Sequence, residues 1–234
     1  HRTPFALLAG ALALGACVRG GATRPAPPAP AAEGAPTRDA TSAGASASEA
    51  AAAAAAAGAR IATAHRVASI ASRRFGHELL WSALAPSTSG AGATPRVREI
   101  GRSMQGRPLR AITWGRGPTT VLLWSQMHGD ESTATMSLVD LVSWMASTSP
   151  AEGALRERLA AALTVVMVPM LNPDGAELFQ RENAAGVDVN RDARRLVTPE
   201  ARALKVLRDS IRPAFGFNLH DQGARTLAGP AGPP

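Results

Sequence analysis

The sequence is poor in several residue types, and each scarcity excludes a class of protein. It has one cysteine, which excludes a disulfide scaffold and a zinc site built from cysteines. No apolar run reaches the length of about 18 residues that a membrane-spanning helix needs, so a multispan membrane protein is excluded. Lys205 is the only lysine, and the scattered arginines behind the net charge of +7 form no basic stripe of the kind that binds nucleic acid.

The overall composition nevertheless predicts a folded domain. The chain has 234 residues, of which 45% are hydrophobic and 18% are charged. This content supports one domain with a real core, not comfortably two, and it excludes a wholly disordered chain.

The first residues have the pattern of a targeting segment. A basic residue, Arg2, precedes the apolar run Phe5–Leu14, which is typical of a secretory signal. The next stretch, Leu14–Cys17, resembles the lipobox of bacterial lipoproteins, in which the cysteine becomes the lipidated first residue of the mature chain. We therefore expect a signal peptide over 1–17, lipidation of Cys17, and a membrane-anchored, extracytoplasmic location in the cell envelope. The alternative is a free cysteine buried in a core helix. Because the chain opens on His rather than Met, we expect its true start to lie upstream.

Residues 18–58 are predicted to be a disordered tether. They are mostly Ala, Pro, Ser, Thr and Gly, which cannot bury enough apolar surface to offset the entropy lost on ordering. The alanine run Ala50–Ala57 has the propensity for a local helix but suggests no site. Residues 59–234 are predicted to be the globular domain.

Hydrophobic periodicity in the domain predicts strands that alternate with helices, which is typical of an α/β sheet with crossovers. The first three predicted strands follow one another as a meander with turns at glycine. Thr198 is predicted to cap the last helix, and Pro169 to end regular pairing near the end of its strand. The predicted helices are 60–84, 130–147, 154–162 and 199–211, and the predicted strands are 97–100, 109–114, 119–124, 163–170 and 214–219.

Two histidines and a glutamate stand at the ends of predicted strands. His128 and Glu131 follow the strand 119–124, where a turn can aim an imidazole and a carboxylate at one point, as zinc coordination requires. Alone this pair is a weak signal, because a glutamate there also suits the N-terminus of a helix. His220 ends the strand 214–219, and a lone histidine in such a place is more often structural than a ligand.

These three residues belong to a series of motifs in a fixed order. The motifs are Gly106–Leu109, Met127–Glu131, Asn172–Gly175, Arg181–Asn183, Gly186–Asp192 and Phe217–Asp221. Together they resemble the zinc carboxypeptidase family, the metallocarboxypeptidases related to pancreatic carboxypeptidase A, from about Arg98 to about Gly223. The resemblance implies an α/β fold, a phosphorylase/hydrolase-like sandwich of helices around a central mixed sheet, truncated here on its C-terminal side.

The resemblance implies one zinc ion held by His128, Glu131 and His220. Three protein ligands leave a position for a water molecule, whose pKa zinc lowers toward neutrality. Asp188 matches the family's carboxylate that orients the first histidine by accepting its other N–H.

Three further residues match positions that act on the substrate. Asn190 and Arg191 match the pair that grips the terminal carboxylate, for which a planar guanidinium is well suited. Arg181 matches the arginine that stabilises the oxyanion as the scissile carbonyl becomes tetrahedral. The alternative for both arginines is a solvated surface charge.

The function implied is that of a zinc-dependent exopeptidase, a hydrolase that removes C-terminal residues from peptides. Two alternatives stay open. One is an amidase or carboxypeptidase of the same fold that acts on cell-wall peptides, which a tethered envelope protein has within reach. The other is a lipoprotein that binds zinc or peptide without catalysis. The expected partners are a peptide substrate and the bacterial membrane, with no nucleic acid.

Two residues of the family pattern have no counterpart. The family's general-base glutamate and a substrate-contacting tyrosine lie after the third ligand, whereas here no Glu follows His220 and the sequence has no Tyr. We expect a fragment cut inside the domain rather than a degenerate member. The chain as given is expected to be catalytically dead even with zinc bound, because a positioned general base contributes on the order of a hundredfold to ten-thousandfold. It is also expected to expose a sheet edge near His220.

Overall fold

The structure, a computed structural model, describes residues 40–89 and 95–221, with side chains from residue 48 onward. The contacts divide the chain into two compact units, with the boundary between Thr63 and Ala64. The predicted signal peptide, including Cys17, lies outside the described residues. No helix in the described ranges is long and apolar enough to cross a membrane.

In the first unit the structure describes a single helix, α1 (Ala40–Ala64), whose last residue lies just past the boundary. Its sequence is dominated by alanine, which has the highest helix propensity of all residues. Residues 40–58 are therefore helical and differ from the expectation of a disordered tether. The rest of the predicted tether, 18–39, lies outside the described residues.

The predicted helix 60–84 is wrong. The helix α1 ends at Ala64, and a second helix, α2 (His77–Thr88), begins only after a non-helical segment. Within that segment the backbone N–H of Val67 donates to the Asp140 carboxylate at 2.8 Å rather than to a helical carbonyl. A tertiary contact thus overrides the helical pattern, since intrinsic helix propensity is only a weak determinant of structure in a folded protein.

Five strands form one mixed sheet in the second unit. They are β1 (Arg96–Arg102), β2 (Pro108–Gly115), β3 (Thr119–Ser125), β4 (Leu163–Val168) and β5 (Phe215–Leu219). Their order across the sheet is β1-β2-β4-β3-β5. The pairs β1–β2 and β2–β4 are antiparallel, whereas β3 runs parallel to both β4 and β5. All five predicted strands are confirmed, and β4 ends directly before Pro169.

The predicted meander is wrong after the hairpin of β1 and β2, because β3 is not the neighbour of β2 in the sheet. The helices that follow β3 explain this difference. The described helices of this unit after α2 are α3 (Thr133–Ala146), α4 (Gly153–Ala162), α5 (Pro173–Leu178) and α6 (Pro199–Ile211), with 3-10 turns at Pro150–Glu152 and Val189–Arg191. The chain leaves β3 through α3 and α4 and returns as the parallel strand β4, which inserts between β2 and β3. The start of α6 is confirmed, because Thr198 Oγ1 accepts from the Ala201 N–H at 3.2 Å.

Both faces of the sheet are covered, which is typical of an α/β domain. On one face, strand residues Ala111, Leu122 and Val166 share a buried cluster with Ala201 and Leu207 of α6. Side chains alternate between the two faces along a strand. The residues that alternate with these three face the other side and are also buried; they are Ile112, Val121, Leu123, Val165 and Met167. In the described sheet β5 is an outer strand, as expected for the strand before His220.

Candidate metal centre

The candidate site lies where β3 and β5 end. These neighbouring strands are parallel, and Ser125 is paired with Leu219. Their carboxyl ends therefore meet at one edge of the sheet, which is where ligands bind in open α/β sheets. The loop after β3 carries His128 and Glu131, and His220 directly follows β5. The topology thus brings together residues that lie far apart in the sequence.

The three residues assigned as metal ligands form one cluster. One ligand atom from each of His128, Glu131 and His220 lies within 4.8 Å of the others. The His128 Nδ1 atom is 2.9 Å from Glu131 Oε1, and the His220 Nδ1 atom is 2.6 Å from Glu131 Oε2. The two imidazole centroids are 4.8 Å apart. Both Nδ1 atoms therefore face the same carboxylate.

This donor set fits zinc. Two imidazole nitrogens and one carboxylate oxygen are ligands that zinc takes in catalytic sites, where three protein ligands leave one position open. The His128 side chain is only 2% exposed, whereas that of His220 is 31% exposed. The cluster is therefore buried on the His128 side and accessible to solvent on the His220 side.

Asp188 and Arg181 contact His128 on opposite nitrogens. The His128 Nε2 atom lies 3.0 Å from Asp188 Oδ1. A proton on Nε2 leaves the lone pair of Nδ1 available for a metal, so this hydrogen bond selects the tautomer that can ligate. Arg181 donates from Nε and Nη2 to Asp188 Oδ2 at 3.1 and 2.9 Å, and its Nη1 lies 3.2 Å from His128 Nδ1. The guanidinium therefore borders the cluster.

Both carboxylates of the site have lowered pKa values. Burial by itself raises the pKa of Glu131, but the hydrogen bonds with His220 and His128 outweigh it and hold the pKa below its usual value. Burial likewise raises the pKa of Asp188, and the bonds from Arg181, His128 and a backbone N–H outweigh that effect. Both groups are therefore ionised at neutral pH, which is the form that binds a metal or orients a histidine.

The loop after β3 has a constrained path. Gln126 is buried and has a φ of 50°, a conformation that costs energy for a residue with a side chain and is found at functional sites. Gly129 packs against the backbone of Gly175 in α5, because a Cβ at residue 129 would lie 2.1 Å from the Gly175 carbonyl carbon. Only glycine fits there, so the position of the ligand loop depends on α5.

Asn190 and Arg191 lie on the 3-10 turn that follows Asp188. The Asp188 carboxylate accepts from the Asn190 backbone N–H at 2.9 Å, and the Asn190 side chain accepts from Asn218 Nδ2 at 3.2 Å. The turn is therefore tied both to the partner of His128 and to β5. Arg191 is exposed, and its side chain makes no hydrogen bond or ion pair within residues 40–89 and 95–221.

Two residues that the sequence did not single out hold the cluster on the side away from Asp188. The Asp221 carboxylate accepts from the backbone N–H and the hydroxyl of Thr133, and from Arg73. Asp221 directly follows His220, and this adjacency is a signal that could have singled it out. Nothing in the sequence distinguishes Arg73 from the other arginines.

Comparison with known proteins decides the family. Residues 93–222 match the family model of zinc carboxypeptidases. The chain belongs to the zinc carboxypeptidase family. It is 27% identical over 157 residues to carboxypeptidase SOL1 of Arabidopsis thaliana, which covers 60% of this chain and 32% of the plant protein. It is 29% identical over 110 residues to probable carboxypeptidase 2 of Arthroderma benhamiae, which covers 46% of this chain and 20% of the fungal protein.

A solved structure shares the fold. The metallo-carboxypeptidase from Burkholderia cenocepacia superposes with a TM-score of 0.52 at 26% identity, covering 62% of this chain and 40% of that chain. The chain therefore spans less than half the length of each of these three relatives. The predicted family and the predicted α/β fold with a mixed sheet are confirmed.

Proposed function

We propose that the protein is a zinc-dependent carboxypeptidase that hydrolyses the last peptide bond of a peptide. The observation that carries this proposal is the cluster of His128, Glu131 and His220, with His128 oriented by Asp188. Membership of the zinc carboxypeptidase family supports it. The proposed cofactor is one zinc ion.

The residues around the cluster have separate tasks in this proposal. Zinc, when bound, supplies a Lewis acid that acidifies a water molecule and polarises a carbonyl. Asp188 keeps the proton of His128 on Nε2, so that Nδ1 remains a ligand. Arg181 is held by two bonds to Asp188 and presents Nη1 beside the cluster, where it stabilises the negative charge that develops on the scissile carbonyl oxygen. One such donor is typically worth about a hundredfold to a thousandfold in kcat.

The proposed selectivity for a chain terminus rests on Asn190 and Arg191. Arg191 presents an exposed guanidinium on the turn that Asp188 holds. A guanidinium can form two parallel hydrogen bonds to a carboxylate, which suits the C-terminal group of a peptide. Cleavage within a chain would not need such a pair.

The test is His128→Ala in the full-length protein, with His65→Ala as the matched control because His65 pairs with Glu152 instead. We expect wild-type protein to contain one zinc ion per chain and to release C-terminal amino acids. The His128 variant should lose both properties, and the His65 variant should keep both. A His128 variant that loses zinc and keeps activity contradicts the proposal.

The same assay distinguishes the alternatives for the substrate. Ordinary peptides and cell-wall peptides are compared side by side, since the proposed location places cell-wall peptides within reach. Hydrolysis of cell-wall peptides alone favours the alternative of an amidase or carboxypeptidase of the same fold that acts on the cell wall. Wild-type protein that binds zinc and hydrolyses neither class favours a binding protein without catalysis.

We also propose that Cys17 carries a lipid anchor and that the protein lies at the cell envelope, outside the cytoplasm. The support is the apolar run before Cys17 and the resemblance of Leu14–Cys17 to a lipobox. Several acyl chains on one terminus anchor a protein stably, whereas a single chain is marginal. Cys17→Ser should move the protein from the membrane fraction to the soluble fraction. A wild-type protein found in the cytoplasm contradicts this proposal.

A further inference from the structure

The N-terminus of α3 is capped by a residue that is distant in the sequence. Ser132 occupies the N-cap position but makes no side-chain cap bond, because its hydroxyl donates to the Arg73 carbonyl. The Asp221 carboxylate caps the helix instead. It accepts from the Thr133 backbone N–H at 3.1 and 3.2 Å and from the Thr133 hydroxyl at 2.9 Å. A carboxylate in this position also meets the positive end of the helix dipole.

Arg73 links this cap to the ligand loop after β3. Its Nη2 atom donates to Asp221 Oδ2 at 2.7 Å and to the Asp130 carbonyl at 3.3 Å. Asp130 lies on the loop that carries the first two ligands, whereas Asp221 directly follows His220. The Arg73 side chain therefore bridges the two chain segments that supply the metal ligands.

The segment that carries Arg73 is itself attached to the domain. Its Val67 N–H donates to Asp140 of α3 at 2.8 Å. The segment precedes residues 93–222, which match the family model. The bridge is therefore made by a part of the chain outside the matched region.

We propose that Arg73 and Asp221 are positioning residues that hold His220 against Glu131. The Asp221 backbone N–H donates to Glu131 Oε2 at 3.3 Å, and the same oxygen lies 2.6 Å from His220 Nδ1. Fixing Asp221 on α3 therefore fixes the third ligand beside the second. Groups behind metal ligands are typically worth about 10- to 100-fold in metal affinity. This inference rests on the proposed zinc function.

Replacing Asp221 should weaken zinc binding more than replacing Arg73, because the Asp221 side chain is the less exposed of the two. Asp221 is 9% exposed, so its removal leaves partly buried donors on Thr133 unpaired. Arg73 is 57% exposed, and such an ion pair is screened by salt. We expect Asp221→Ala to weaken zinc binding about 10- to 100-fold. Arg73→Gln should weaken it less, and that smaller effect should shrink at high salt.

The experiment measures zinc affinity in the full-length protein by competition with a coloured chelator. The variants are Arg73→Gln, Asp221→Asn, Asp221→Ala and the combination of Arg73→Gln with Asp221→Asn. Arg66→Gln is the matched control, because Arg66 is exposed on the same segment and makes no hydrogen bond within the described ranges. The melting temperature of each metal-free protein and the visible spectrum of each cobalt-loaded protein are recorded as well.

We expect weaker zinc binding and an altered cobalt spectrum in the Arg73 and Asp221 variants and neither change in the control. The effects of Arg73→Gln and Asp221→Asn should be less than additive, since both break the same ion pair. Lower metal-free melting temperatures with unchanged zinc affinity and cobalt spectra would show that the cap serves folding alone, which overturns the inference. If Asp221→Ala does not fold, Arg73→Gln and Asp221→Asn decide the question.

The failure of this inference is distinguishable from the failure of the proposed function. Wild-type protein that binds no zinc contradicts the proposed function. Wild-type protein that binds zinc and hydrolyses peptides, together with Arg73 and Asp221 variants that bind zinc equally well, contradicts only the positioning role.

Discussion

His128, the most buried of the three candidate ligands, has a partner for each of its ring nitrogens. Its Nδ1 atom faces Glu131 and its Nε2 atom faces Asp188. A buried imidazole with two polar atoms needs a partner for each. The hydrogen bond to Asp188 satisfies Nε2 and leaves the lone pair of Nδ1 for a metal ion. The same bond therefore meets the need of a buried imidazole for partners and supports the proposed metal binding.

The first prediction concerns Asp188→Asn. The change removes the charge that orients His128 and that holds Arg181 through two hydrogen bonds. We expect zinc affinity to fall about 10- to 100-fold, measured by chelator competition. Asp209→Asn is the control, because Asp209 is an exposed residue of α6 that pairs with Lys205. Equal zinc affinity in the Asp188 variant and the wild type would contradict the role given to Asp188.

At the scale of single residues, those that could be predicted from the sequence stand in recognisable motifs. The structure brings His128, Glu131 and His220 together. Their positions at strand ends were a weak signal, and the resemblance of the ordered motifs to the zinc carboxypeptidase family is what identified them. The adjacency of Asp221 to His220 could have drawn attention to Asp221. Its role as a helix cap and its pairing with Arg73 could not be predicted, because a single sequence does not show which distant carboxylate caps a helix. Such a contact depends on the neighbours that the fold creates, not on local residue types.

At the scale of elements, the strands were easier to predict than their neighbours in the sheet. The apolar runs of β3 and β4 identify buried strands directly. The insertion of β4 between β2 and β3 follows from a crossover that no local pattern records. The predicted helix 60–84 was wrong for a similar reason, because the Val67 N–H takes a tertiary partner.

The second prediction tests the dependence of the ligand loop on α5. In Gly129→Ala the new Cβ would lie 2.1 Å from the Gly175 carbonyl carbon, so the loop or the helix must shift. We expect a loss of about 1–3 kcal/mol in the free energy of unfolding, the usual cost of overpacking, together with weaker zinc binding. Gly153→Ala is the matched control, since a Cβ there meets no atom within 4 Å. Urea unfolding and zinc titration measure both effects, and a Gly129 variant that behaves like the control would contradict the argument.

Asp192 fixes the start of α6 through three hydrogen bonds. Its carboxylate accepts from the Val197 N–H at 3.0 Å and from the N–H and hydroxyl of Thr198, each at 2.7 Å. Burial by itself raises the pKa of Asp192, but these bonds outweigh it and hold the pKa below its usual value. Because the folded-state pKa is lowered, the stabilisation is present above the unfolded-state pKa of about 3.9. It is lost as the pH falls through the folded-state value.

The third prediction follows from the lowered pKa of Asp192. Asp192→Asn should lower the free energy of unfolding at neutral pH by about 1–3 kcal/mol, because an amide cannot accept all three bonds. The difference from wild type should shrink as the pH falls below the usual carboxyl range. Urea unfolding over a series of acidic pH values checks this, with Glu157→Gln on the exposed face of α4 as the control. A difference that stays constant into strong acid would contradict it.

At the scale of the second unit as a whole, the site joins parts of the chain that no local element connects. The strands β3 and β5 are neighbours in the sheet, yet α3, α4, β4, α5 and α6 lie between them in the sequence. Closing so long a segment costs chain entropy. A metal ion held by the loop after β3 and by the residue after β5 would secure this closure, because the unfolded chain does not present the three ligands together.

The fourth prediction is therefore that zinc stabilises the folded protein. A ligand that binds only the native state contributes about 2.7 kcal/mol at about 100 times its Kd. For a domain of about 150–250 residues that corresponds to a rise in Tm of roughly 5–11 °C. Melting curves recorded with a chelator and with excess zinc measure the shift. His220→Ala should abolish the Tm shift and His65→Ala should keep it, because of these two histidines only His220 belongs to the cluster. A wild-type Tm that is equal in both conditions would contradict a metal centre built from these three residues.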